Sequence, residues 1–471
     1  MKNTPFRLSL KPSLGPLARL IFTTLAAGFA VSGAFGQALF APGDLVVATY
    51  NAAGNVTDGQ PTPISLEEFT PNGTFVKTFT LPTTDSGGNL GIVGEYGSSS
   101  EANLQLSADG HSLLIAGYQA TASYGNVGGP VQGGYSNANG TALAQATSAN
   151  VPRVVAVVSA TGVVNTTTQV NSIYSANNPR SVWSANGTSL YLSGQGSGSN
   201  DQGVFVVAAG TNQVTGGPAP TPISSNTGLS TRIVSAYNGN LYYSTDVKNV
   251  ATGIYEYAGI PTSTATATAI LPANNGLSGA SVVDYSPDGF FFANATTLYV
   301  ADTGAPKNKA LGDGGIQKWS YNGTAWGLDY TLVPANFVQN YNDKTSGLTD
   351  GEVGFESLTG KIVNGTVQLY GVSYTIGDAD QDALYSVSDP LSAVTNPGDS
   401  FTELATAAGL GNLSTATAIG GPVFKSVTFA PQVASVPEPG TWALILGAGA
   451  LAWAGWKRRL SPATSSQSCG L

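Results

Sequence analysis

Ser107-Ala-Asp-Gly-His-Ser-Leu-Leu-Ile-Ala-Gly-Tyr118 is a tight polar turn running directly into an apolar, strand-forming segment. Asp-Gly tolerates the positive φ that a two-residue hairpin turn demands. The pattern returns as Ser184-Ala-Asn-Gly-Thr-Ser-Leu-Tyr-Leu-Ser193 and Ser235-Ala-Tyr-Asn-Gly-Asn-Leu-Tyr-Tyr-Ser244. Ser286-Pro-Asp-Gly289, followed after an insert by Thr297-Leu-Tyr-Val-Ala-Asp302, reads as a fourth copy. Leu358-Thr-Gly-Lys-Ile-Val-Asn-Gly-Thr-Val-Gln-Leu-Tyr-Gly-Val-Ser373 reads as a fifth. In each copy the Asn/Asp-Gly turn is expected to join the first and second strands of a repeating unit.

A second strand pair follows each copy, at 154–158 with 163 onward, 203–208 with 213 onward, 254–257, 316–320 and 383–387. Four strands in a repeat of roughly 50–75 residues is the pattern of propeller blades. Residues 424–431 resemble an inner strand with no partner after it, and residues 43–50 a second strand with none before it. Pairing these two, with 64–69 and 75–81, completes another unit and leaves no open edge. The sequence therefore predicts an all-β protein, a six-bladed β-propeller closed by its N- and C-terminal strands. Seven blades, or tandem β-sandwiches, are the alternatives.

Composition agrees with a turn-dense β body. The 471 residues include 60 Gly and 26 Pro, and only 10% are charged, against roughly 25% in an average globular chain. A 42% hydrophobic share suffices for a core, which argues against wholesale disorder. With one His, one Cys and one Met, Ser-His-Asp triads, most zinc sites and disulfide scaffolds are excluded.

The ends read as address labels. Lys2, Arg7, Lys11 and Arg19 precede an apolar run from Leu20 to Val31 and the small residues Ser32-Gly-Ala-Phe-Gly36. That order is a secretory signal over 1–36, cut near Gly36/Gln37; twelve apolar residues are too few to span about 30 Å of hydrocarbon. At the other end Pro437-Glu-Pro439 is followed by a 16-residue apolar segment, 441–456, and by Lys457, Arg458 and Arg459. The segment reads as a short transmembrane helix with Trp442 and Trp456 at its interfaces, and the basic cluster keeps the tail 460–471 cytoplasmic.

This constellation resembles the PEP-CTERM sorting signal of Gram-negative bacteria, carried here by Pro437, Glu438, Pro439, the apolar run, Lys457, Arg458 and Arg459 over 436–459. The resemblance implies recognition and cleavage by an exosortase, a precursor held in the inner membrane, and delivery to the cell surface or extracellular matrix. The tail 460–471 is a departure, since such proteins usually stop soon after the basic residues. The remaining body, 37–435, keeps 11 Lys+Arg against 26 Asp+Glu, a net charge of −15. Such acidity argues against nucleic acid and anionic lipid surfaces as partners.

Within the body, Asp378, Asp380 and Asp382 form the densest acidic cluster, alternating along a loop in a way that suits Ca²⁺. The sixth position is Ala383 and a strand follows, so the cluster is no EF-hand. The competing interpretation is a solvated acidic turn. Asp343, Asp350, Glu352 and Glu356 are further carboxylates that would line a central channel if their loop faced it. His111 follows a turn and reads as a rim residue, and Asp302-Thr-Gly304 reads as an inter-strand loop. The triplets at Asn72, Asn139, Asn186, Asn322 and Asn364 are all Asn-Gly-Thr, which hairpin turns explain without a sugar. Twenty Tyr and six Trp suit either sugar stacking on the rim or β cores.

The expected role is that of a non-enzymatic surface or matrix protein whose body binds an exopolysaccharide, another surface protein or a cation. An exported hydrolase or lyase using channel carboxylates, with or without calcium, is the alternative.

Overall fold

Apolar residues at every position of a short strand make it a wall between two neighbours rather than a surface, and that is how this chain uses its strands. A computed structural model describes residues 39–50, 56–57, 61–95, 100–119, 143–224, 229–246, 252–272, 286–304, 314–337, 352–375, 382–407, 418–419 and 422–433, together with Leu451, Trp453 and Trp456. Met1–Ala38 separates as its own unit, outside the described residues; all the strands belong to Leu39–Leu471.

The chain opens with β1 (Leu45–Tyr50), the short β2 (Val56–Thr57), β3 (Pro61–Phe69) and β4 (Phe75–Thr80). Next come β5 (Val93–Glu95), β6 (Gln105–Leu106), β7 (Ser112–Tyr118), β8 (Arg153–Ser159) and β9 (Val164–Val170). Four antiparallel sheets of four strands follow in simple sequential order. They comprise β10 (Pro179–Trp183), β11 (Ser189–Gly194), β12 (Gly203–Ala208) and β13 (Thr221–Pro222), then β14 (Thr231–Tyr237), β15 (Asn240–Thr245), β16 (Gly253–Tyr257) and β17 (Thr268–Pro272). After these come β18 (Pro287–Asn294), β19 (Thr297–Asp302), β20 (Gly315–Tyr321) and β21 (Trp326–Leu332), then β22 (Glu352–Val363), β23 (Thr366–Thr375), β24 (Ala383–Pro390) and β25 (Thr402–Thr406). The short β26 (Ala418–Ile419) pairs with β2, and β27 (Val423–Phe429) pairs with β1, Leu45 opposite Phe429 and Tyr50 opposite Val423.

Turn chemistry explains the hairpins. Asn238 and Gly239, at φ 48° and 82°, join β14 to β15, and Asn364 and Gly365, at 50° and 80°, join β22 to β23. Both pairs hold the two consecutive positive φ values of a type I′ turn. The expected fourth copy is different. Pro287, Asp288 and Gly289 lie inside β18, and the turn to β19 falls at 295–296. Gly289 lies where β18 passes β22, and a Cβ there would sit 3.0 Å from the Leu358 backbone nitrogen. Close passage, not turning, is what this Asp-Gly serves.

A second difference concerns the first two units, which do not separate. Pro61–Pro63 of β3 run past β1 and pair with Val93–Glu95, so β27, β1, β3, β5, β7, β8 and β9 make one continuous path in a nine-stranded sheet. No sheet closes on itself among the described residues.

The core lies between sheets. Leu45 and Val47 of β1 pack with Val372 and Leu384 of the β22–β25 sheet, while Val46 and Ala48 pack with Leu113 and Val154 of β7 and β8. The period of two along a strand sends alternate side chains to opposite neighbours. The same division recurs at Leu241 and Tyr243 against Tyr242, and at Leu298 and Val300 against Tyr299 and Ala301. Each buried Leu, Val or Phe contributes on the order of 1.5–3 kcal/mol. Serines add stitches across the joints. Ser193 Oγ donates to Arg232 O at 2.5 Å, Ser244 Oγ to Asp288 O at 3.0 Å, and Ser426 Oγ to Ala102 O at 2.6 Å. Strands β6, β10, β14, β18, β22 and β27 each contact the next, and β27 contacts β6 in turn.

Candidate functional site

Those six consecutive neighbours each bring one ionisable side chain near their starts. Glu101 precedes β6, Arg180, Arg232 and Asp288 are the second residues of β10, β14 and β18, Glu356 lies in β22 and Lys425 in β27. All but Arg232 are at most 6% exposed, and charges this deep survive only with partners.

The partners come partly from one another and partly from buried neutral groups. Arg232 spans the cluster: Nη1 donates to Asp288 at 3.0 and 3.1 Å and to Ser100 Oγ at 2.9 Å, while Nη2 donates to Asp246 at 2.8 Å. Lys425 Nζ pairs with Glu356 at 3.3 Å and lies over the Tyr50 ring. Glu101 accepts from Tyr50 Oη at 3.2 Å, and also from Tyr118 Oη and Asn178 Nδ2. Arg180 donates to Ser230 Oγ at 2.7 Å, Thr231 O at 3.2 Å and Gln195 Oε1 at 2.9 Å.

Burial sets the electrostatics. It pushes the Glu101 and Asp288 carboxyls up, against the opposing hydrogen bonds of Asn178 and Tyr118 on the first and the charge of Arg232 on the second. Burial, reinforced by the like charge of Arg232, lowers Arg180 to about 9, with Asp288 and Glu101 resisting. The arrangement is two ion pairs, Arg232 with Asp288 and Asp246 and Lys425 with Glu356, flanked by Glu101 and Arg180 on neutral partners, and it ties β10 to β14, β14 to β18 and β22 to β27. General acid–base chemistry needs a group with hydrogen-bond reach to a substrate proton, and these groups are engaged in buried ion pairs and hydrogen bonds.

The residues singled out from sequence are scattered relative to this cluster. Glu356 joins it. Glu352 instead accepts from Ser373 Oγ at 2.5 Å and Tyr385 Oη at 2.7 Å, within its own sheet. Asp343, Asp350, Asp378 and Asp380 lie outside the described residues. Asp382 is buried, and its carbonyl accepts from the Ala407 N–H. Among the described residues no group of three or more His, Cys, Asp or Glu is placed to hold a metal ion. Asp302 is buried and accepts from Ser286 N, Gly304 N and Gln317 Nε2, so it pins a strand end. His111 Nδ1 lies 2.7 Å from Gln432 O. Asn186 and Asn322 cap their own turns, Oδ1 accepting from Thr188 N and Thr324 N. Pro437, Glu438, Pro439, Lys457, Arg458 and Arg459 lie outside the described residues. In 441–456 the described Leu451, Trp453 and Trp456 are helical and exposed. Among the described residues no helix is long and apolar enough to cross a membrane.

Sequence reasoning missed Glu101, Arg180, Arg232, Asp288 and Lys425. Their signal was faint but present: in a chain with only 10% charged residues, each charge set among apolar strand residues stands out.

A second buried pair, Lys318 and Asp389, joins β20 to β24 at 2.7 Å, with both side chains fully enclosed. Tyr330 Oη donates to Asp389 at 2.5 Å and Tyr299 Oη donates to it as well. Asp399 is raised to about 6, first by burial and then by its hydrogen bond to Asp389.

No curated protein matches the chain in sequence. Solved structures with partial likeness include apo AztD from Citrobacter koseri (9% identity, TM-score 0.27, covering 76% of this chain and 70% of that one). The β-propeller domain of the Trilobed protease from Pyrococcus furiosus is 7% identical at TM-score 0.29, covering 76% and 98%. Trypanosoma rangeli sialidase in complex with the inhibitor DANA is 9% identical at TM-score 0.36, covering 69% and 53%. TM-scores and identities this low establish neither a shared fold nor a shared activity. Residues 435–459, by contrast, match the PEP-CTERM protein-sorting motif. The motif implies export, a membrane-anchored precursor and processing by exosortase. The chain thus carries a PEP-CTERM protein-sorting motif over residues 435–459.

Proposed function

We propose that the exported body is a six-bladed propeller acting as a binding and structural module at the cell surface or in the extracellular matrix. The blades would be the sheets β10–β13, β14–β17, β18–β21 and β22–β25, with β27-β1-β3-β4 and β6-β7-β8-β9 as the two joined in one sheet. The circuit of contacts from β6 through β27 and back supports six over seven. Residues 1–36 serve as the signal peptide, 441–456 as the transmembrane helix of the precursor, and 460–471 as its cytoplasmic tail.

The observation that carries the non-catalytic reading is the ionic cluster. In such a propeller it would lie where the channel begins, and its charges are spent on two ion pairs and on buried hydroxyl, amide and backbone partners. A hydrolase or lyase would instead hold acid and base facing open space. The ligand class that suits an acidic, exported body with aromatic rim residues is an uncharged exopolysaccharide or another surface protein.

Fractionating native cells with and without the exosortase tests the sorting. A shortened chain outside the membrane in the first strain and a full-length membrane-held chain in the second is the expected result. Full-length chain retained in both overturns it. Incubation with polysaccharide should release no new reducing ends.

A further inference from the structure

A cleft of about 540 Å³ opens between the β14–β17 and β18–β21 sheets, on the side of their hairpin turns. Its volume falls in the range of small-molecule sites, roughly 300–1,000 Å³. One wall is a row of rings. Tyr237, at the end of β14, stacks on Phe292 of β18 at 4.7 Å and 10°. Trp326 meets Phe292 edge-on at 6.1 Å, and Tyr321 lies 5.4 Å from Trp326. All four rings are only half-buried.

Polar groups face the rings. Glu256 Oε1 accepts from Asn240 Nδ2 at 2.6 Å and from Tyr242 Oη at 2.7 Å, so neutral donors fix its orientation. Asn240 is itself held by the Gly259 N–H at 2.8 Å. Among the described residues Glu256 is the one charged side chain lining the cleft.

We infer that this cleft binds a neutral saccharide. A pyranose offers a flat face of C–H bonds that suits the negative face of an aromatic ring, and hydroxyls that donate to a carboxylate and accept from an amide. A solitary carboxylate disfavours uronates and sulfated sugars, as does the net charge of −15 over residues 37–435. A quaternary ammonium also favours rings beside a carboxylate, but a cage needs ring faces converging on one point. Here Tyr237 and Phe292 spend faces on each other, leaving a strip. This inference rests on the binding-module reading and assigns it a place and a ligand class.

The test is affinity electrophoresis of the full chain through gels containing dextran, galactomannan or a soluble β-glucan, with alginate as the anionic comparison and choline as competitor. The expected result is retardation by at least one neutral polymer, unaffected by choline. Trp326→Ala and Tyr321→Ala should each weaken it about tenfold, on the scale of one lost aromatic contact, and Trp326→Phe should keep most of it. Tyr321→Ala, more peripheral to the packing, preserves the test if Trp326→Ala melts early. Equal retardation of wild type and both alanine variants overturns the cleft assignment, as does preference for alginate, displacement by choline, or no retardation at all. Reducing ends released by wild type would overturn the binding-module reading instead, leaving dependence on Trp326 to be read separately.

Discussion

The ionic cluster at the starts of β14 and β18 and the aromatic cleft at their turn ends use the same strands to opposite ends. At one end, five of the six charged side chains are at most 6% exposed and are bound to one another or to buried polar groups. At the other, four rings stay half-buried and a single carboxylate is held by neutral donors. The difference teaches where recognition can occur in such a body. Groups that neutralise each other hold strands together and are closed to a ligand, whereas groups left partly unsatisfied at the turns are open to one.

Breaking the ionic cluster gives the largest expected effect. Arg232→Ala strands Asp246 and Asp288, and chemical denaturation should show a loss of about 3–5 kcal/mol with neutral-polymer retardation unchanged in the protein that remains folded. A comparable loss of retardation would merge the two regions into one functional unit. Replacing Lys425 and Glu356 together, by Met and Leu, should cost less than Lys425→Met alone, because the double change leaves no buried charge without its counter-ion. A thermal-melt series of the three variants checks this. Next, Ser193→Ala and Ser244→Ala each remove one stitch between sheets and should cost about 1 kcal/mol, visible as a small shift in denaturation midpoint.

The smallest effect lies at Asp399. Its folded pKa, about 6, stands above the unfolded value of 3.8, so the folded state holds the extra proton between them. The stabilisation is therefore present at acid pH and is lost as pH rises through about 6. Asp399→Asn should flatten that part of the stability–pH curve; an unchanged slope would remove Asp399 as its source.

How much could be foreseen differs between the two regions for a physical reason. The hairpins were legible because Asn238-Gly239 and Asn364-Gly365 state their turn type locally, and the pairing of 423–429 with 45–50 followed from each lacking a neighbour. Of the ionic cluster only Glu356 was singled out, since Glu101, Arg180, Arg232, Asp288 and Lys425 are brought to it only by the repeat. Asp288 was hidden further by its place in Ser-Pro-Asp-Gly, a string that reads as a turn and here forms the start of β18. The cleft was half-legible: Tyr and Trp suited either rim or core, because a ring that stacks a sugar and a ring that fills a core are the same residue in sequence.

The pairing of β27 with β1 has a mechanical consequence. The sorting motif starts at residue 435, six residues after Phe429 ends β27. Any tension on a body still held by its C-terminus enters through β27, which the antiparallel ladder from Leu45↔Phe429 to Tyr50↔Val423 holds to β1. Loaded from the Phe429 end, that strand is held by its ladder to β1 and by Ser426 and Lys425, anchored to Ala102 and Glu356. The strand that finishes the fold is thus also the protein's tether.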